Sequence, residues 1–420
     1  MKFLVSVFWN TVLFVWLIFL IFPFLNIFLG IGTGGWNRDI DNGNFDLLFK
    51  GGLFLLTVFL YFLVVIFSKN NRFNKKILKL NFFSFILLFF YIMSSIYNDS
   101  GSISEHYRLA VYIFLFLITS TAKLDFQINE LVNFTKYYTY SVIILFIIII
   151  SRGGYDSTDY LFFRLGHGFV DSNLLAATIN LGFIYPIYIL LNEPKLINRF
   201  KYYFLISLLI VMNIMTFSNG GLLSLVLLFS SIFYYLSSNN SIKYFRKYAY
   251  FTISFTLIFL IFNTQLIESI FPRISNLFDL KSEVGQESFG SRLIQYSNLF
   301  KVLTNGFSFV FGVSSGHITT YIGQEMHNSF LRPILAGGLF SFISFIFLNI
   351  ISLNMYRKSI KSFKYLGQNL GINISILFFS CYICWLFQAF TLPYESIPLF
   401  WFHFSISAIL YRKSQLLLAN

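Results

Sequence analysis

Between residues 323 and 338 the chain reads "GQEMHNSFLRPILAGG", with Glu325, His327, Asn328 and Arg332 gathered at the entrance to a long apolar run. His327 is the side chain best suited to exchange a proton near neutral pH. Asn328 can orient it or a substrate, and Arg332 adds a planar cation. Pro333 suits a first helical turn, and Gly337 and Gly338 let another helix approach closely. A second group lies in "SRGGYDSTDYLFFRLGHGFVDSN" (151–173), with Arg152, Arg164, His167, Asp171 and Asn173. Arg164 follows three apolar residues and precedes Gly166 and Gly168, a setting in which its planar fork could take a phosphate bidentately. The same setting also suits an arginine that snorkels to the interface, and Asp171 or Ser172 suits a helix N-cap.

A third group is "ESFGSRLIQYSNLFKVLTNGFSFVFG" (287–312), where Leu293, Tyr296, Leu299, Phe300 and Leu303 recur at helical spacing. The spacing predicts an amphipathic helix at an interface, capped by Ser291 with Arg292 in its first turn. A cation there opposes the helix dipole, so Arg292 is expected to meet an acidic side chain or an anionic ligand. Residues 265–278 have similar periodicity and predict a second surface helix.

Other motifs read as architecture. Asp39 and Asp41 form a D-x-D that could hold a divalent ion, but such pairs are common in solvated loops, and no metal ligand is assigned. Cys381 and Cys384 form a C-x-x-C inside an apolar run, with no second pair or His cluster beside it; they read as packing residues. His403 also lies in an apolar run and reads as a hydrogen-bonded core histidine.

The elements that must position these residues are set by hydropathy. Only 11% of the 420 residues are charged and mean hydropathy is +0.72, whereas soluble domains carry about 25% charge. Apolar runs of about 20 residues recur, each long enough to cross a hydrocarbon core of about 30 Å. The expected fold is all-α: a single polytopic membrane domain (1–420) of about twelve transmembrane helices. The spans are 5–28, 47–67, 77–96, 109–121, 138–150, 173–191, 203–217, 220–236, 248–262, 330–353, 372–390 and 397–411. The first reads as a retained span rather than a cleaved signal.

The net charge of +13 follows this topology. With the N-terminus inside, 20 of the 30 Lys and Arg fall on the inner side, facing only Asp125, Glu130 and Glu193. That is the positive-inside pattern, so the basic excess reports orientation and implies no nucleic-acid partner. Both termini are then cytoplasmic. The long loops, 151–172 and 263–329, fall on the outer side, and loops of that length usually carry function.

An outer-face site has no ready supply of cytoplasmic nucleotide sugars or ATP. Its donor must arrive already activated through the membrane, which a lipid-linked diphosphate would satisfy. As the C1–O bond of such a glycan breaks, charge builds on the diphosphate. Arginine forks would stabilise that charge while a base takes the proton of the attacking hydroxyl. Arg164, Arg292 and His327 have the chemistry for these roles.

Three segments, "FRLGHGFVDSNLLAATINL" (163–181), "SRLIQYSNLFKVLTNGFSFVFGVSSG" (291–316) and "HNSFLRPILAGGLFSFISFIFL" (327–348), carry a family resemblance. In order and side, the chain resembles the O-antigen polymerase and O-antigen ligase superfamily of bacterial inner-membrane glycosyltransferases. Arg164, Gly166 and Asn173 match its first motif; Arg292, Gly312 and Gly316 its second; His327, Asn328 and Gly338 its third. His167 stands where the family need not have histidine, and Tyr296 where tryptophan is frequent. The resemblance implies a GT-C-like, metal-independent and cofactor-free enzyme with a periplasmic active site. In it Arg164, Arg292 and His327 are catalytic, and Asn328, Arg332, His167 and Asn173 contact substrate. Its donor would be an undecaprenyl-diphosphate-linked oligosaccharide drawn from the bilayer, and a chain-length regulator would be a further partner. Polymerase is the first reading. A ligase acting on a lipid A core shares the donor chemistry, and a flippase for the same lipid is the reading from another class.

Overall fold

The structure is a computed structural model, and it describes residues 2–29, 74–98, 103–122, 126–151, 172–192, 196–216, 218–237, 283–304, 306–323, 326, 328–390 and 397–419, with 52, 55, 58, 59 and 62. Among them there is no strand. The helices are α1 (Lys2–Leu29), α2 (Lys75–Tyr97), α3 (Ile103–Thr121), α4 (Ile128–Ser151), α5 (Ser172–Gly182), α6 (Ile184–Asn192) and α7 (Leu196–Met215). They continue with α8 (Asn219–Ser237), α9 (Glu283–Thr304), α10 (Gly306–Phe311), α11 (Ile318–Ile322), α12 (Arg332–Tyr365), α13 (Asn369–Gln388) and α14 (Pro398–Ala419). Ten of the twelve expected spans fall on these helices. The expected span 47–67 lies mostly, and 248–262 wholly, outside the described residues, as does the surface helix expected at 265–278.

Five helical segments are long and apolar enough to cross a membrane: α2, α4, the α5–α6 pair, α12 and α13. Their side-chain distribution points the same way. On α2 the exposed stripe is Leu78, Phe82, Phe85, Phe89 and Ile96, while the buried face includes Asn81, Ser84 and Ser94. Large apolar groups facing outward, with small and polar groups set among the apolar ones inside, differ from the polar outer face of a soluble helix and match helices packed within lipid. The same pattern marks α4, with Tyr137, Ile144 and Ile147 out and Thr135 and Thr139 among the buried residues.

α12 is the hub, packing most extensively on α2 and then on α14, α13 and α10. α13 joins this group to α5, α6 and α8. One end of the bundle is basic. There the Lys76 ammonium lies 5.2 Å from the Tyr411 ring centroid, and Arg412 Nη1 donates to the carbonyls of Thr121 and Ala122.

At the opposite end α12 is kinked. It starts at Arg332 with Pro333 in its first turn, and Gly338 interrupts it at φ +76°. Glycine alone adopts this backbone region without strain. A Cβ on Gly338 would run into the carbonyl of Val310, and one on Gly312 (φ +78°) would lie 2.8 Å from the Gly338 nitrogen. The two backbones therefore cross in contact, as expected of a glycine pair. The kink costs no unpaired carbonyl at this crossing, because the Val313 N–H donates to Leu335 O at 2.6 Å. Aromatic stacking locks α2 against α12 on the C-terminal side of the kink, with Phe83–Phe347 and Phe90–Phe340 each at 4.8 Å.

Replacing Gly338 by Ala should destabilise the purified protein by about 2 kcal/mol or more, through left-handed strain plus the clash. Ser341→Ala, one turn away, should cost well under half of that. Thermal unfolding of both variants in one detergent checks the contrast.

Candidate functional site at the end away from the basic residues

The residues of the third motif form a turn that caps α12. Asn328 Oδ1 accepts the N–H groups of Phe330 (2.9 Å) and Leu331 (3.1 Å), and its own carbonyl accepts that of Arg332 (2.8 Å). These are donors that a helix start otherwise leaves orphaned. The expected span start at 330 is thus a turn, with the helix beginning two residues later. Asn328, Ser329 and Arg332 are all buried. Ser329 N–H donates to Ala389 O at 2.7 Å, which ties this turn to the end of α13.

The second motif meets the third through α9. Asn328 Nδ2 lies 3.5 Å from the Tyr296 hydroxyl. Asn298 Nδ2 donates to Ile322 O at 3.1 Å, and Gln295 and Leu299 are buried against the bundle. The helix begins at Glu283, not at Ser291. Ser291 therefore does not cap it, and position 292 lies more than two turns inside, one turn before Tyr296. The argument from dipole opposition at Arg292 falls with that boundary. The polar, glycine-bearing run 283–290 hid the helix start, because it lacks the apolar periodicity that marks the rest.

The first motif enters through α5. Asn173 Oδ1 accepts the Ser218 hydroxyl, and Ser218 Oγ caps α8 by accepting the Gly221 N–H at 2.9 Å. Ser172 is the first helical residue rather than a cap. A Cβ on Gly221 would collide with that of Ala176, so the α8 backbone packs directly on the Ala176 methyl of α5. Below this contact runs a buried amide ladder. Asn213 Nδ2 donates to Asn180 Oδ1 (2.9 Å), Asn180 Nδ2 to Ser224 Oγ (2.7 Å), and Gln388 Nε2 to the same Ser224 oxygen (2.8 Å). All four residues are fully buried. Gln388 neighbours Ala389, so this ladder links the Asn173 region to the Ser329–Ala389 contact.

Sequence reasoning passed over these amides because it searched the spans for formal charge. The available signal was Asn180, Asn213 and Gln388 standing alone in apolar runs. It also passed over His106, whose Nε2 lies 2.8 Å from Ser95 Oγ and 3.0 Å from Tyr91 O. A carbonyl can only accept, so the proton is on Nε2, and Ser95 can then donate to Ser314 Oγ at 2.8 Å. Ser314 holds a positive φ of 68°, and His317 Nε2 lies 3.2 Å from Asn98 O. This cluster fastens the α10–α11 turn to α2 beside the Gly312–Gly338 crossing.

Arg164, His167 and His327 lie outside the described residues, as do Asp39, Asp41, Arg152 and Asp171. Arg292 is placed by its helix backbone. Cys381 and Cys384 are both free and buried, with Cys381 Sγ 3.6 Å from Asn180 O. His403 departs from its expected role. It is fully buried, but neither ring nitrogen has a hydrogen-bond partner among the described residues. Its ring sits 5.4 Å from that of Tyr382 and 6.1 Å from that of Trp385. Aromatic faces surround it where acceptors would be needed.

What this end offers chemically is a capped floor of hydroxyls and amides with the buried cation Arg332 beside it, where the second and third segments touch and the first is linked through α8 and α13. Asn328→Ala should cost about 1–2 kcal/mol of stability through the lost cap, and Asn328→Asp should recover most of it. Melting temperatures of the two variants against the parent would read this directly. Neither a protein-family model nor a curated protein sequence matches the chain; what is shown of its class is that the described residues are helical, with several apolar helices of membrane-crossing length.

Proposed function

We propose that the chain is a polysaccharide polymerase of the O-antigen polymerase type. It moves a growing glycan from undecaprenyl diphosphate onto a lipid-linked repeat unit at the periplasmic face of the bacterial inner membrane. In this reading the fold is GT-C-like with about twelve spans, both termini are cytoplasmic, and the basic end of the bundle faces the cytoplasm. The observation that carries the proposal is that the second and third family-like segments touch through Tyr296–Asn328, and the first is linked to them through α8 and α13 by Asn173–Ser218, Gln388–Ser224 and Ser329–Ala389, at the end away from the basic residues.

In the proposed reaction Arg164 and Arg292 grip the diphosphate as it gathers charge. His327 takes the proton from the acceptor hydroxyl as that oxygen bonds to C1, and the C1–O bond electrons leave with the diphosphate. Asn328, Arg332, His167 and Asn173 hold the substrates. A chain-length regulator would act on this enzyme from outside the chain. The sister ligase shares every one of these steps up to the choice of acceptor.

Arg164→Lys and Arg292→Lys should each lower the rate by roughly 10²-fold, since lysine keeps the charge but not the fork. Equal rates with normal membrane insertion would reject the bidentate role. A chelator should leave the rate unchanged, whereas a loss restored by a divalent ion would point back to Asp39 and Asp41. Purified protein given one synthetic lipid-diphosphate repeat unit should produce a glycan ladder, and His327→Ala should produce none. A product formed only when a lipid A core is added would identify the ligase, and no product in either case would favour the flippase.

A further inference from the structure

The cap on α12 constrains a second side chain besides the helix. Asn328 Oδ1 accepts the Phe330 and Leu331 N–H groups. Only the amide oxygen can take two N–H donors, so the two ends of this amide are fixed and Nδ2 is the atom turned toward α9. It lies 3.5 Å from the Tyr296 hydroxyl oxygen. An amide nitrogen can only donate, so the tyrosine oxygen accepts and its own proton points elsewhere. Among the described residues no group accepts that proton, since the Asn328 amide is the one hydrogen-bond partner of this hydroxyl. The roll of α9 is set by the buried Gln295 and Leu299 and by the Asn298 bond to Ile322 O. Tyr296 is half-buried, while Ile294, Ser297 and Phe300 beside it are exposed, so this stretch of α9 lies at an open edge of the bundle. Position 292 precedes 296 by four residues and falls on the same stripe of the helix, and 327 is the chain neighbour of 328. Tyr296 therefore stands where the segments bearing the proposed arginine and the proposed base meet.

A hydroxyl whose oxygen already accepts an N–H offers the ligand a donor. Its best complement is an oxygen that only accepts. Sugar hydroxyls both donate and accept, whereas the non-bridging oxygens of an ionised diphosphate only accept and carry charge, which strengthens the bond. We infer that Tyr296 is a diphosphate-binding residue: its O–H donates to a phosphate oxygen of the lipid-linked donor, beside the oxygens that Arg292 grips. The N–H accepted from Asn328 polarises the hydroxyl and makes it a stronger donor. No proton leaves the phenol. The hydrogen bond tightens as the C1–O bond electrons move onto the diphosphate. The inference rests on the lipid-diphosphate donor of the proposed reaction and adds to it a neutral donor, held in place from the third segment and carried by the second.

The test uses the full-length protein in detergent and two glycan-free lipids, undecaprenyl diphosphate and undecaprenol, with affinity read by native mass spectrometry. Wild type should bind the diphosphate more tightly than the alcohol. Tyr296→Phe keeps the ring and removes only the O–H. It should weaken diphosphate binding about tenfold, leave undecaprenol binding unchanged, and melt close to the parent. In the glycan-ladder assay its kcat should fall at least as far, because the donor is worth most while the diphosphate is leaving. Equal diphosphate binding by variant and parent would overturn the inference. Parallel weakening toward both lipids would also overturn it, since that marks a packing role, as would a wild type with no preference for the diphosphate. A wild type with the Tyr296-dependent preference that builds no glycan from a lipid-linked repeat unit would keep the assignment and reject the polymerase reading.

Discussion

The contact on which the rest depends is the crossing of two backbones at Gly312 and Gly338. Both residues sit at positive φ, and a side chain at either would strike the other segment's main chain. Hydrogen bonding completes the join, since the Leu335 carbonyl released by the kink is taken up by Val313. Within lipid there is no water to rescue a broken helical bond, so a kink survives only where neighbouring protein satisfies it. That requirement fixes the α10–α11 turn against α12, and it brings α9, with Tyr296, against the Asn328 cap. Ser314, strained at positive φ, and the His106–Ser95 pair hold the same turn from the side of α2.

The interior polarity obeys one economy. Bringing a charge to mid-bilayer is costly, whereas amides and hydroxyls can satisfy one another and hold helices together at about 0.6 kcal/mol per contact. The Asn213–Asn180–Ser224–Gln388 ladder is built this way and joins α7, α5, α8 and α13. On α12 and α13 the Tyr382 hydroxyl donates to Asn349 Oδ1 at 2.7 Å, repeating the device deeper in the bundle. Charge is left to the loops and the helix ends, where it can be solvated or recruited.

Hydropathy made the helices legible, because a bilayer imposes a length and an apolar character that few other contexts require. The α4 and α12 boundaries extend past the expected spans because helix continues into polar sequence, such as 354–365 on α12, which hydropathy does not register. Gly337 and Gly338 read correctly as a close approach, but the kink did not, since glycine permits a positive φ without demanding it. The break at Phe183 between α5 and α6 is marked by Gly182 and by Pro186, which has no N–H for the Gly182 carbonyl; the Thr139 hydroxyl donates to that carbonyl instead, at 2.8 Å. At the candidate site, local features were legible and pairings were not: nothing in the spacing of Asn173 and Ser218, or of Tyr296 and Asn328, announces that they touch.

The exposed Arg357, Lys358, Lys361 and Lys364 on the last turns of α12 bear on immersion depth. From Gly338 to Tyr365 the helix rises by about 40 Å at 1.5 Å per residue, roughly 10 Å more than a hydrocarbon core. Lys361 and Lys364 lie in that surplus, with Arg357 and Lys358 at its start. Drawing any one of them into the core would cost about 2.5–3.5 kcal/mol, so the bundle cannot ride upward. In a bilayer this would hold the kink at Gly338 at one height, near the far boundary of the hydrocarbon, with the capped turn above it at the waterline.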